Sequence, residues 1–213
     1  MDLAGTVREL VGDGRRRVLL GVTGAPGAGK TTLVEGLRDA LRASPPPGCE
    51  PGTWVAHVPM DGFHLADAGL ERLGLRDRKG AAETFDAHGY LALLRRLRAD
   101  TGETVWAPAF ERDLEQPLAG AIDVPAAARL VLTEGNYLLL PDDPWPAVAA
   151  ELDRVWFVDP PDDLRLRRLI ARHEEFGKSP AHAARWVQDV DEPNAARVRA
   201  TRDRADLVID EAG

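Results

Sequence analysis

The 213-residue sequence predicts an α/β fold in three layers: a mostly parallel central sheet between helices, with a helical lid over one end. Three observations carry this expectation. Short apolar runs alternate with helical stretches along the chain. A glycine-rich turn separates the first apolar run from the first strong helix. Several later runs stop at an acidic residue.

Val18-Leu19-Leu20-Gly21-Val22 is a continuous apolar run, as expected of a strand buried on both faces. From Lys30 to Leu41, Leu33, Val34, Leu37 and Leu41 recur at helical spacing. Ser44-Pro45-Pro46-Pro47-Gly48 ends that helix, since proline cannot continue it. A second strand is expected over 53–58, closing at Pro59-Met60-Asp61-Gly62. Asp86 is placed to cap a helix running to Arg98, with Tyr90, Leu91, Leu94 and Leu97 inward. Further strands are expected over 104–107, 130–133, 154–158 and 207–209. Asp162 or Asp163 is expected to cap a helix running to Arg172. No repeat or long linker divides the chain, so one domain over 1–213 is expected, with the lid near 160–190.

The 27 Lys and Arg stand against 35 Asp and Glu, a formal net charge of −8. That balance excludes a protein that coats nucleic acid, whose affinity needs many cationic phosphate contacts. A local basic pocket for a small anion stays open. Only Lys30, Lys79 and Lys178 are lysine, so each is of interest in a chain that otherwise uses arginine. The one cysteine, Cys49, fits a reducing compartment. The first ten residues carry acids and no apolar core, unlike a signal peptide, and no apolar run reaches the roughly 18 residues of a membrane span. A cytoplasmic protein is expected, with neither nucleic acid nor membrane as partner; a homodimer is compatible with the sequence.

Gly24-Ala25-Pro26-Gly27-Ala28-Gly29-Lys30-Thr31 has the spacing of a phosphate-binding P-loop and opens a helix after a strand. Glycines let backbone N–H groups converge on phosphate oxygens, and the helix N-terminus favours the anion. Lys30 is expected to reach the β- and γ-phosphates of ATP, and the Thr31 hydroxyl to ligate Mg²⁺. Thr32 completes the nucleotide-binding stretch. The Asn-Lys-x-Asp signature of Ras-type GTPases is absent, because no lysine follows an asparagine. A phosphotransferase is the reading that remains, with a regulatory ATP-binding protein of slow hydrolysis as the alternative.

Asp61 ends the second strand, at the strand edge where ligands of open α/β sheets bind. A carboxylate there can take the proton of an attacking hydroxyl; an ordinary Asp-Gly turn is the competing reading. Glu134 follows the strand over 130–133, where an acid suits magnesium. Arg165, Arg168 and Arg172 fall on one face of the 163–172 helix, and arginine forks spread transition-state charge.

This order of motifs resembles the uridine kinase, phosphoribulokinase and type I pantothenate kinase group, over about residues 18–210. Asp61-Gly62-Phe63, Arg78-Lys79-Gly80 and Glu83-Thr84-Phe85-Asp86 are similar to pantothenate kinase stretches. Met60-Asp61-Gly62-Phe63-His64-Leu65 and Glu134-Gly135-Asn136-Tyr137-Leu138-Leu139 look closer to nucleoside/nucleotide kinase family proteins labelled fructose-transport-system kinases. The resemblance implies Mg-ATP-dependent transfer to the hydroxyl of a sugar, nucleoside or pantothenate-like acceptor, with Asp61 as base. It implies Lys30, Arg168 and Arg172 around the transferring group, and Thr31 and Glu134 at the metal. His64, Arg78, Lys79, Arg112, Asn136 and Tyr137 are then expected near the acceptor. Pro108-Ala109-Phe110-Glu111-Arg112 departs from the Pro-Val-Tyr-Ser-His of pantothenate kinases, and the chain is shorter than those enzymes. Arg112 suits a polyhydroxylated or an anionic substrate, or else a plain Arg-Asp surface pair.

Overall fold

A computed structural model describes residues 1–100 and 102–210. Its main sheet has five parallel strands: β1 (Val18–Thr23), β2 (Val55–His57), β5 (Leu130–Glu134), β6 (Arg154–Val158) and β7 (Leu207–Ile209). They lie in the order β2-β5-β1-β6-β7, so β1 is central. It pairs with β5 from Val18↔Leu130 to Val22↔Glu134, and with β6 from Leu20↔Arg154 to Thr23↔Phe157.

The period-2 alternation of the strands creates the three layers. Leu19, Val131, Val155 and Phe157 point to one face, packed with Tyr90, Leu94 and Leu97 of α4 (Ala87–Ala99) and Val148 of α5 (Trp145–Ala150). Val18, Leu20, Val22, Leu130, Leu132 and Trp156 point to the other. There they meet Val34, Leu37 and Leu41 of α2 (Lys30–Arg42) and Val7 and Val11 of α1 (Leu3–Val11). Each fully buried aliphatic side chain contributes roughly 1.5–3 kcal/mol of transfer free energy.

Asp86 caps α4 as expected, its carboxylate accepting from the Gly89 N–H at 2.8 Å. The second strand is shorter than expected. At its start the Trp54 carbonyl accepts from both the Arg129 and Leu130 N–H groups, at 2.8 and 2.9 Å, and at its end Pro59, with no N–H, stops pairing after Val58. The strand expected over 104–107 is part of an antiparallel ribbon outside the main sheet. That ribbon joins β3 (Val105–Glu111) to β4 (Gln116–Val124) with an irregular register between Ala107 and Ala109. Pro108, Pro117 and Gly120 mask it in the sequence, because all three are poor strand residues.

After β6 the chain makes a helical excursion: α6 (Asp162–Glu175), α7 (Pro180–Trp186), a π-helical turn (Val187–Asp191) and α8 (Glu192–Arg199). Pro161 occupies the N-cap position of the first helix, with no side-chain cap; Asp162 and Asp163 lie instead in its first turn, where they favour the positive dipole end. A short α3 (Asp67–Leu73) and a 3₁₀ turn over Met60–Phe63 complete the rim at the C-terminal ends of β1, β2 and β5.

Candidate active site

One cleft of about 280 Å³ opens at that rim, between the P-loop, the ribbon and the lid. Its donor wall is built by local backbone geometry. Gly27 has φ +80°, and a Cβ there would sit 2.7 Å from the Arg165 carbonyl oxygen, so only glycine lets the loop fit beneath α6. No side chain caps the start of α2, which leaves its first N–H groups for an anion. Lys30 is buried, and its ammonium donates to the Gly24 carbonyl at 3.0 Å and the Ala25 carbonyl at 3.2 Å. Burial lowers its pKa to about 8, helped by Arg172 and Arg165 and opposed by Glu134 and Asp61. Pro26, Gly27, Lys30 and Thr31 face the cleft; Ala28 packs in the core, Gly29 opens the helix, and Thr32 is exposed outside the lining.

The Thr31 hydroxyl donates to Glu134 Oε1 at 2.9 Å, joining the P-loop helix to the end of β5. Burial and the nearby Asp61 charge push the Glu134 carboxyl up, against the pull of Lys30 and the Thr31 hydrogen bond. These residues fit a nucleoside triphosphate with a divalent cation. The uncapped helix and buried ammonium suit phosphates, and the hydroxyl–carboxylate pair is a hard oxygen donor set. Among the described residues no cluster of three or more His, Cys, Asp or Glu could hold a metal alone.

Asp61 lies across from this pair, on the 3₁₀ turn after β2. A buried chain of hydroxyls holds that turn in place: Thr133 Oγ1 donates to the Val58 carbonyl at 2.6 Å and accepts from the Tyr90 hydroxyl at 2.5 Å. Gly62 allows the next contact, since a Cβ there would collide with the Pro108 carbonyl of the ribbon. The ribbon in turn presents Arg112, whose Nη2 donates to Asp61 Oδ2 at 3.1 Å. Burial raises the Asp61 pKa, but the charges of Arg112, Arg172 and Lys30 oppose it, and the carboxyl stays below its ordinary value. His64 donates Nδ1–H to the Asp61 carbonyl at 2.8 Å, which leaves Nε2 as an acceptor. Burial lowers the His64 pKa and favours that neutral form.

The far wall is aromatic and charged. The His64 ring lies 4.0 Å from the centroid of Phe85 and 4.7 Å from that of Phe110. Lys79 donates to Asp67 Oδ1 at 2.8 Å, and Asp67 also accepts from Arg76 at 3.1 Å. Asn136 lines the cleft, its carbonyl held by the Thr23 hydroxyl at 3.1 Å.

Besides Thr32, the expected residues Arg165, Arg168, Arg78 and Tyr137 also lie outside the cleft lining. Arg168 is exposed on α6, outside the cleft lining. Arg165 is buried instead, bonded to the Pro26 carbonyl at 3.1 Å and to Glu192, and braces the P-loop from behind. It shares the inward face with Leu169, four residues on, so Arg165 and Arg168 part ways. Only Arg172 of the three lines the cleft. Arg78 pairs with Glu83 away from the cleft, and Arg76 takes its place in the wall. Tyr137 is buried behind the wall and donates to the Gly80 carbonyl, so it positions the loop that carries Lys79. Residues not singled out from the sequence also line the cleft: Asp67, Glu115, Phe176 and Trp186, and the His173–Asp191 pair at 2.8 Å. Phe110 had a sequence signal, since it lies in the segment that departs from the pantothenate kinase pattern.

Sheet order, P-loop and opposed acidic strand ends define a P-loop kinase. The family model described as Phosphoribulokinase / Uridine kinase family matches residues 19–213, and the chain belongs to that family. It is 32% identical to the Escherichia coli protein YggC, described as uncharacterized, over 92% of this chain and 78% of that one. A pantothenate kinase of Leifsonia xyli is 29% identical, over 90% of this chain and 65% of the relative. Among solved structures, the Silicibacter sp. TM1040 "putative fructose transport system kinase" superposes with a TM-score of 0.85 at 37% identity, covering 98% of this chain and 99% of that one.

Proposed function

We propose that this protein is a magnesium- and ATP-dependent kinase that transfers the γ-phosphoryl group to a hydroxyl of a small acceptor of the sugar, nucleoside or pantothenate kind. The observation that carries this reading is the shared cleft. The Thr31–Glu134 pair and Lys30 form one side, and the ionised Asp61 faces them with the aromatic wall behind it. The relatives named as pantothenate kinase and fructose transport system kinase support a small-molecule acceptor.

The α2 N-terminus and Lys30 would hold the β- and γ-phosphates, and Arg172 would approach from the lid. Thr31 and Glu134 would hold magnesium, which supplies neutralisation of phosphate charge. Asp61 accepts the proton of the acceptor hydroxyl as its oxygen attacks the γ-phosphorus. The bond from that phosphorus to the β–γ bridging oxygen breaks, and ADP leaves. The Asp61 proton then passes to water. Arg112 keeps Asp61 ionised before the attack and fixes its orientation. With a carboxyl held below its ordinary pKa, Asp61 works chiefly by orienting the hydroxyl and receiving its proton late in the transfer.

ADP release measured with and without a panel of sugars, nucleosides, pantothenate and vitamins tests the proposal. Strong stimulation by a hydroxyl compound is expected. Slow release that no acceptor stimulates would contradict the kinase reading and favour a regulatory ATP-binding protein.

A further inference from the structure

The two ends of the cleft differ in how their cations are matched, and that difference bears on the acceptor. On the lid side, Arg172 and Lys178 line the cleft and, among the described residues, neither meets a carboxylate. The Lys178 ammonium lies 5.1 Å above the Trp186 ring instead. Together with Lys30 they leave positive charge for a polyanion.

At the acceptor end every lining cation has an acidic partner. Arg112 is matched to Asp61 at 3.1 Å, Lys79 to Asp67 at 2.8 Å, and Arg76 to both Asp67 and Glu71. Resting on the kinase reading above, we infer that the acceptor is uncharged: a polyhydroxylated compound bound through neighbouring hydroxyls. A phosphorylated or carboxylate-bearing acceptor does not fit.

The chemistry of the pairs supports this. A phosphate or carboxylate entering here would meet Asp61 and Asp67 while Arg76, Lys79 and Arg112 are already matched and Arg172 acts on Asp61 only from the lid side, and like charges in a half-buried site repel. A hydroxyl is both donor and acceptor. A matched carboxylate and ammonium side by side offer one acceptor and one donor, the complement of two adjacent hydroxyls. The neutral His64 ring adds Nε2 as an acceptor. The rings of Phe85 and Phe110, tilted against His64 on either side, add apolar edges to this wall that suit the C–H groups of a sugar or sugar-like ring. The choice left open by Arg112 in the sequence thus falls to the polyhydroxylated acceptor, because Asp61 already takes its charge.

The test compares matched acceptors on the full chain with Mg-ATP, reading ADP release: fructose against fructose 6-phosphate, uridine against uridine 3′-monophosphate, panthenol against pantothenate, within a wider set of neutral polyols. A neutral member is expected to outpace its anionic partner by roughly tenfold or more in kcat/KM. Stimulation mainly by anionic members would overturn the inference and leave the kinase reading standing, whereas silence from both classes would overturn both. A second measurement uses Asp67→Asn, which uncovers Lys79. It is expected to shift the ratio of anionic to neutral turnover upward by about tenfold, and an unmoved ratio counts against the inference.

Discussion

The donor and acceptor ends of the cleft are made of similar side chains but organised in opposite ways. At the donor end, Lys30 is buried against backbone carbonyls and Arg172 extends from the lid with no acidic partner among the described residues. At the acceptor end, Arg76, Lys79 and Arg112 are each tied to a carboxylate. An end that must attract a highly charged nucleotide keeps its positive charge uncompensated. An end that must hold and orient a hydroxyl turns its charges into fixed donor and acceptor pairs. Asp61 lies on the boundary, feeling Arg112 from one side and Lys30 and Arg172 from the other.

Substitutions can separate these two ends. The largest effect is expected from Asp61→Asn, which should lower turnover by about 10²–10⁴-fold while ATP affinity, read by calorimetry, changes little. Turnover near that of the unsubstituted protein would remove Asp61 from the mechanism. Lys30→Ala should cost about 10²–10³-fold in turnover through lost charge stabilisation, and unlike Asp61→Asn it should weaken nucleotide binding as well. Arg172→Ala should reduce turnover by about 10–100-fold, the range of one charge-assisted contact, with the acceptor KM nearly constant.

Lys30 also predicts a pH dependence confined to the donor end. Its pKa of about 8 means the free protein loses this charge as pH rises past 8, while bound phosphates favour the charged form. Nucleotide binding above pH 8 must therefore take up a proton. The ATP Kd should rise with pH, approaching about tenfold per unit well above that value. An equal Kd at pH 7 and 9.5 would show that Lys30 stays charged in the free protein. The smallest effect belongs to Arg168→Ala. As an exposed side chain off the cleft, it should change turnover less than about twofold, and a loss matching that of Arg172→Ala would mean that the lid closes in a different orientation.

The donor end was legible in the sequence because its chemistry is contiguous. Gly24 to Thr31 specify a loop, a helix start and a cation in one stretch, and Glu134 follows an unmistakable buried strand. The acceptor end was only partly legible. Asp61, His64, Lys79 and Arg112 carry motif signals, but Asp67, Arg76 and Glu115 reach the cleft through a short helix, a 3₁₀ turn and the ribbon tip, where no periodicity marks them. Arg78 and Arg76 differ by two residues, and only the path of that turn decides which faces in. On the lid, helical spacing placed Arg165, Arg168 and Arg172 near one another, but burial against the P-loop chose among them. The ribbon itself was hidden by its prolines.

The fate of the terminal phosphate tests the central claim most directly. With γ-labelled ATP, magnesium and the neutral polyol and nucleoside set, the label should appear covalently on a hydroxyl compound, and Asp61→Asn should suppress that product. Label recovered only as inorganic phosphate, at a rate indifferent to any acceptor and to Asp61→Asn, would contradict a cleft built to join ATP to an alcohol.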